Sequence, residues 1–401
     1  DAVPERNVPR RDVIPAPPSC DAAPGRSSHG VMSPQNDEVY MRRALDIAER
    51  GRGLTSPNPM VGAVVVRENV VVAEGFHRRA GEAHAEIEAL VAAGEQARGA
   101  TLYVTLEPCS HLGRTPPCAR QVVEAGVRRV VAALVDPNPR VAGQGLAALR
   151  AAGVEVAVGV LEREAERQNR AFLTTMRTGR PHVTLKAAMT LDGKIADRHG
   201  TSQWITGDSA RQEAHRLRSE MDAILVGVGT IVADDPALTV RRERPWPREP
   251  YRVVLDSRAR TPHDARVLRA GTAARTLVVV RDDTPEERTK QLEELGAVVV
   301  RVGARQGRVD LGGALAELHR REVRALLVEG GAEVHGAFLD AGLVDRVVMF
   351  VAPLLLGGRQ ASSAVGGAGL PLKGALRLTD LSIRHVGADL LLEAEVARER
   401  S

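Results

Sequence analysis

Residues 81–90 read GEAHAEIEAL, and residues 105–120 read TLEPCSHLGRTPPCAR. The first stretch opens a helical pattern on His84, with Glu86 close behind. The second ends a β-rich run on Pro108-Cys109 and reaches another cysteine, Cys118, where prolines start a further helix. His84, Cys109 and Cys118 offer one imidazole and two thiolates, a donor set that suits Zn²⁺ in a tetrahedral site. Three protein ligands leave the fourth position to water, whose pKa zinc lowers to about 7. Within a helix body, residues two apart point to nearly opposite sides. At a first turn, His84 and Glu86 can both address a site off the helix end, where the dipole favours anions. Glu86 is then free to carry protons instead of binding metal. Taken singly, a histidine on an apolar helix or a cysteine in an Ala-rich segment is an ordinary core residue. The joint spacing is what points to a site.

Strands and helices alternate outward from this stretch. Residues 37–51 carry apolar residues at helical spacing and end on Gly51. The runs MVGAVVV (60–66) and NVVVAEGF (69–76) read as a hairpin through a turn-prone REN. A helix (84–94), a strand (100–109), a helix (116–126), a strand (127–138), a helix (145–153) and a strand (154–160) follow. This alternation predicts a largely parallel sheet covered on both faces. A polar helix over 161–181 ends at Gly-Arg-Pro, which places a domain boundary near Thr178 to Pro181. Seven further β-rich runs come next: HVTLKAAMTLDG, DAILVGVGTIVADDP, YRVVLD, ARTLVVV, AVVVRV, ALLVEGG and RVVMFVAPLLLGG. Gly330 and Gly331 let the backbone approach an anion at the helix start that follows them. They do not form G-x-G-x-x-G, so no Rossmann domain is inferred.

Composition sets the limits. The 401 residues suggest roughly two to three domains. At 43% hydrophobic and 26% charged, the chain suits a soluble globular protein. Aromatics at 2% argue against stacking platforms for single-stranded nucleic acid, and the net charge of +4 is small, so no nucleic-acid partner is expected. Three cysteines make no disulfide framework, and Cys109 with Cys118 favours metal in a reducing cytosol. Cys20 sits in a Pro- and Arg-rich leader, residues 1–36, expected to be disordered and without a secretory core. No apolar run approaches the roughly 20 residues that span a bilayer, so a cytoplasmic protein without a membrane partner is expected.

H-x-E followed by P-C and a second cysteine resembles the zinc-dependent cytidine deaminase superfamily. That signature spaces its cysteines more closely than PCSHLGRTPPC does. The longer loop, with SPNPMVGAVVV (56–66), is similar to the deaminase domain of the bifunctional riboflavin-biosynthesis deaminase/reductases. In the second half LKAAMTLDGKIA, SQWITG, ILVGVGTIVADDPALTVR and VEGG occur in the order of that family's reductase domain. The resemblance spans about residues 37–396. It implies two α/β domains: a cytidine-deaminase-like three-layer α/β/α unit over 37–178 and a dihydrofolate-reductase-like unit over 179–401. It implies that Asn58, His77, His111, Arg114, Asp136 and Asn138 contact a phosphorylated pyrimidine, with Glu86 catalytic. It places NADPH against Ala188, Trp204, Thr230, Asp234, Ser257, Gly331, Ala332, Glu333, Val334, His335, Gly336 and Ala337. It places the sugar phosphate against Lys186, Ser202, Arg218, Leu238, Arg241 and Glu329. The implied chemistry is hydrolytic deamination followed by reduction of a ribosylamino to a ribitylamino group, in a homo-oligomer. Two alternatives stand beside it. One is a nucleic-acid or nucleoside deaminase fused to a nucleotide-binding regulatory domain. The other is a closed structural zinc site with His111 as fourth ligand.

Overall fold

The computed structural model describes residues 34–110, 117–139, 141–269 and 275–397. Most of the leader, with Cys20, and both His111 and Arg114 lie outside the described residues.

Helix α1 (Pro34–Ala48) precedes strands β1 (Gly62–Arg67) and β2 (Val70–Phe76). Then come α2 (Ala85–Ala93), β3 (Thr101–Val104), α3 (Cys118–Glu124), β4 (Arg129–Ala132), α4 (Gln144–Ala151) and β5 (Glu155–Val158). The hairpin turn uses Glu68 and Asn69, both at positive φ (52° and 63°), as a two-residue connection requires. Strand order is β2-β1-β3-β4-β5. Here the expectation of a largely parallel sheet is corrected: β3, β4 and β5 are parallel, but β1 runs against both β2 and β3. The tight turn reverses the chain at β2, and α2 then carries it across β1, so β3 returns alongside β2's direction.

Alternation along the strands builds a core on each face. Ala63, Val65, Leu102, Val104, Val130 and Ala132 pack with Ala89 of α2, Val122 of α3 and Leu149 of α4. Val64, Val66, Tyr103 and Val131 pack the other way, onto Met41 and Leu45 of α1. The same cluster takes in Ala165 of α5 (Glu162–Gln168) and Leu173 of α6 (Arg170–Thr178). The polar helix read over 161–181 is thus two helices, separated at Asn169. Asn169 uses its side chain on the main chain of Met60, with Nδ2 donating to the carbonyl at 2.9 Å and Oδ1 accepting from the N–H at 2.8 Å.

After α6 a second sheet begins. Its elements are β6 (His182–Thr190), α7 (Asp208–Ser219), β7 (Ala223–Gly227), α8 (Val228–Asp234), β8 (Tyr251–Leu255), α9 (Arg266–Arg269), β9 (Thr276–Arg281), α10 (Glu286–Glu294) and β10 (Val298–Val302). They continue with α11 (Leu311–Arg320), β13 (Ala325–Val328), α12 (Ala332–Asp340), β14 (Arg346–Ala352), β15 (Leu378–Val386) and β16 (Asp389–Val396), while β11 (Ala304–Arg305) and β12 (Arg308–Val309) pair as a separate two-stranded sheet. Strand order is β10-β9-β8-β7-β13-β6-β14-β16-β15. The seven β-rich runs named from sequence supply the parallel strands, from β10 across to β14. The antiparallel pair β15 and β16 was not anticipated.

The two halves meet through charge pairs and a hydrogen bond to the main chain. Arg52 faces Glu220 at 3.7 Å, Arg170 pairs with Glu395, and Arg248 donates to the Gly53 carbonyl at 3.2 Å. No helix among the described residues is long and apolar enough to cross a membrane.

Candidate functional site

His84 is the N-cap of α2, with extended backbone (ψ 159°), and Glu86 stands in the first turn. That is how residues two apart come to face one site. Cys109 lies in the loop after β3, and Cys118 is the first residue of α3, behind Pro117. His84 Nδ1 is 3.2 Å from Cys118 Sγ and 3.7 Å from Cys109 Sγ, and the three donor atoms all fall within 4.8 Å of one another. Donors around a tetrahedral zinc stand roughly 3.5–3.8 Å apart, given bonds of about 2.0–2.3 Å. Size and chemistry of the cluster therefore fit that ion. Hydrogen bonding from Cys118, then from His84, pulls the Cys109 thiol down to about 4, while Cys118 is pushed up. The two sulfurs compete for one proton, whose place a cation would take.

Glu86 is 3% exposed, and its burial raises its carboxyl pKa. His77 sets the wall opposite. Its Nδ1 lies 3.0 Å from the Ala83 carbonyl, which can only accept. Nδ1 therefore carries the proton, and Nε2 accepts from Asn58 Nδ2 at 3.0 Å. The His77 ring meets His84 edge-on, with centroids 5.4 Å apart.

One residue missed from sequence ties the remaining pieces together. Glu107 is buried, and its carboxylate accepts from the main-chain N–H groups of Asp136 (3.1 Å), Gly143 (2.9 Å), Gly145 (2.8 Å) and Leu146 (3.3 Å). It fastens the segment bearing Asp136 and Asn138 to the strand end bearing Cys109. A Cβ at Gly145 would lie 1.9 Å from the Pro108 carbonyl oxygen, so only glycine permits this approach. Asn138 N–H in turn donates to Asp136 Oδ1 at 2.8 Å, the local turn that DPNP suggests. "LEP" in a sequence carries no sign of such a role.

A second cluster gathers at the carboxyl ends of the parallel strands, where ligands of open α/β sheets collect. Lys186 and Ala188 lie on β6, Thr230 follows β7, Ser257 follows β8 and Glu329 follows β13. Arg218, from α7, donates from Nε (2.7 Å) and Nη2 (2.6 Å) to the two Glu329 oxygens. Burial opposes ionisation of Glu329, but Arg218 and Lys186 outweigh it and hold the carboxyl at about 2. Lys186 is pulled down by burial and stands 5.6 Å over the Phe350 ring. Ser202 Oγ donates to Asp234 Oδ1 at 2.9 Å. Trp204 is 66% exposed, with Arg211 over its ring at 4.7 Å, so it does not fill the core.

Close backbone approach explains the glycines. A Cβ at Gly330 would sit 2.6 Å from Val226 Cα, and one at Gly331 would meet Thr230 Oγ1 at 3.5 Å. The nine-residue helix α12 begins directly behind them, and a helix start of this kind suits a phosphate. Several side chains named from sequence point elsewhere. Leu238 is buried in the core with φ 49°, so its main chain is what could face a ligand. His335 is buried, with Nδ1 donating to the Ala364 carbonyl at 2.8 Å, and Glu333 pairs with Arg308 at 3.0 Å. Ser257 Oγ accepts from Val309 N–H at 3.1 Å.

Comparison with known proteins agrees with this division. Residues 34–134 match the model of the cytidine and deoxycytidylate deaminase zinc-binding region, and residues 181–392 that of the RibD C-terminal domain. The riboflavin biosynthesis protein RibD of Escherichia coli (strain K12) is 45% identical over 376 residues, covering 89% of this chain and 98% of its own. The chain belongs to the RibD family. Acinetobacter baumannii RibD has a solved structure with TM-score 0.82 and 39% identity, covering 91% of this chain and 100% of that one. A Thermotoga maritima diaminohydroxyphosphoribosylaminopyrimidine deaminase/5-amino-6-(5-phosphoribosylamino)uracil reductase is similar at TM-score 0.79 and 35% identity, over 91% of this chain and 99% of its own. Like its family, the chain is a bifunctional deaminase and reductase of riboflavin biosynthesis.

Proposed function

We propose that residues 37–178 deaminate 2,5-diamino-6-(5-phosphoribosylamino)pyrimidin-4-one, and that residues 179–401 reduce the product with NADPH. The observation that carries the first step is the His84, Cys109 and Cys118 cluster, sized for a tetrahedral ion, with buried Glu86 beside it. Zinc held by those three residues would lower the pKa of a water to about 7 and so supply a nucleophile at neutral pH. Glu86 takes the proton from the attacking water and returns one to the amine nitrogen, which leaves as ammonia. Asn58, fixed by His77, and Asp136 and Asn138, fixed through Glu107, hold the pyrimidine and its ribosyl phosphate against that carboxylate. His111 and Arg114 are assigned to the same substrate from the family resemblance alone.

In the second half, Lys186, Arg218 and Arg241 offset the substrate's negative charge, while Glu329 and Ser202 receive sugar hydroxyls. Ala188, Trp204, Thr230, Asp234, Ser257 and the start of α12, from Gly331 to Ala337, would hold the cofactor. NADPH bound there would supply a hydride to C1′ of the ring-opened imine; with one proton taken up at the nitrogen, the ribosylamino group would become ribitylamino. The protein's part is alignment: the glycine pair lets the main chain approach the cofactor, and the Arg218–Glu329 pair holds a fixed polar wall beside C1′.

Supplying the diaminopyrimidinone nucleotide with and without NADPH tests this reading. Ammonia should appear in both reactions, and absorbance of the reduced cofactor should fall only when NADPH is present and deamination has occurred. Ammonia release without any cofactor oxidation would remove the assignment of residues 179–401.

A further inference from the structure

We propose that Arg248, in the second half of the chain, is a positioning residue for deamination in the first: with Trp246 it anchors the loop that carries Asn58. This rests on the reading of Asn58 as a contact to the deaminase substrate.

The loop runs from Gly53 to Met60, between α1 and β1. At its far end Asn169 holds the main chain of Met60 with two hydrogen bonds, and Asn58 Nδ2 meets His77 Nε2 at 3.0 Å. Gly53, at the near end, is held by the second half. Arg248 Nη1 donates to its carbonyl at 3.2 Å, and Nη2 pairs with Asp222 Oδ1. Asp222 is buried, and its Oδ2 accepts from the main-chain N–H groups of Arg324 (2.7 Å) and Ala325 (2.8 Å). The guanidinium is thus tied to the start of β13. It cannot swing away from Gly53 without taking the counter-charge from a buried carboxylate.

Contact at Gly53 is close. A Cβ there would lie 2.5 Å from the Ser219 carbonyl oxygen and 2.9 Å from the Trp246 ring, and the φ of 72° favours glycine. Arg242 braces both neighbours: its guanidinium stands 5.5 Å from the Trp246 ring centroid, and Nη1 donates to Ser219 Oγ at 2.9 Å. Between the two anchors, Ser56, Pro57, Asn58 and Pro59 border a cavity of about 250 Å³ between the halves. A segment backed by open space instead of packed side chains keeps its place through its ends. Releasing Gly53 therefore lets Asn58 shift from the substrate, while His84, Glu86, Cys109 and Cys118 stay where they are.

The full chain is assayed for ammonia release from the diaminopyrimidinone nucleotide and, on the same preparation, for NADPH oxidation on the deaminated intermediate. Arg248→Ala should raise KM for ammonia release by roughly tenfold, the scale of one hydrogen bond to a charged group, with kcat and zinc content retained. Reduction should continue at the normal rate, which reports that the second half is folded. Arg248→Lys should recover part of the loss. Asn58→Ala should raise the same KM, and in that background Arg248→Ala should add little, because both act on one contact. Gly53→Ala forces the loop off Ser219 and Trp246 while Arg248 and Asp222 keep their pairing. It should reproduce the KM rise, and it decides the matter if Arg248→Ala does not fold. An unchanged KM, fully additive effects of Arg248→Ala and Asn58→Ala, or a kcat that falls in step with zinc content would overturn the positioning role and leave Asn58 as a substrate contact. An unchanged KM in Asn58→Ala would overturn that contact, and the positioning role with it.

Discussion

Glu86→Gln should slow ammonia release by about 10²–10⁴-fold, the range contributed by a positioned general acid–base group. Glutamine keeps the shape and hydrogen-bonding capacity of the side chain, so a residue that is only 3% exposed stays packed. What it loses is the ability to take up and return a proton. His84, Cys109 and Cys118 are untouched, so metal content should match that of the unsubstituted protein. Reduction of the deaminated intermediate, at the carboxyl ends of β6, β7 and β13, should continue at the normal rate. Ammonia and cofactor oxidation are followed in parallel assays on one preparation. If both activities fall together, the two-site account is wrong. If ammonia release falls less than about tenfold, Glu86 is not the proton carrier.

The reverse pattern is expected for Arg218→Ala. Removing one member of a buried ion pair leaves the other charge uncompensated, at a cost of about 3–5 kcal/mol. Glu329 is that other charge, and of the groups that support it Lys186 and His215 remain. If this cost falls on the binding-competent arrangement of the reductase site, kcat/KM for reduction drops by roughly 10²–10³-fold, at about 1.4 kcal/mol per decade. Arg218→Lys should recover only part, because an ammonium cannot reproduce the two parallel bonds to Glu329. Ammonia release should persist in both variants, since no residue of the first cluster touches Arg218. Loss of ammonia release in Arg218→Ala would mean that the second half is needed to fold or complete the first.

Residue type and local spacing made the candidate metal-donor cluster legible. His84, Glu86, Cys109 and Cys118 are chemically distinctive, and the places of His84, Glu86 and Cys118 at helix starts follow from Pro117 and from the cap position. The seven parallel strands were equally open, because buried parallel strands read as continuous Val- and Leu-rich runs. The antiparallel pairing of β1 with β3 was not: the hairpin reading gives the reversal between β1 and β2, but a Val-rich strand looks the same whichever way its other neighbour runs. Strands β15 and β16 escaped because β15 is exposed along almost its whole length, so it carries no apolar period. Glu107 was missed for another reason. It acts on main-chain N–H groups far along the chain, near Gly145, and such partners leave no mark on local sequence. Leu238 and His335 show the converse: a family motif names positions, but only the fold shows that these two side chains are buried.

X-ray absorption at the zinc edge bears most directly on the central claim. The account predicts one imidazole nitrogen and two sulfurs, with a light fourth ligand that exchanges with solvent or a small anion. Four protein ligands with no exchangeable position, or a purified chain that holds no zinc and keeps full ammonia release under chelation, would contradict it.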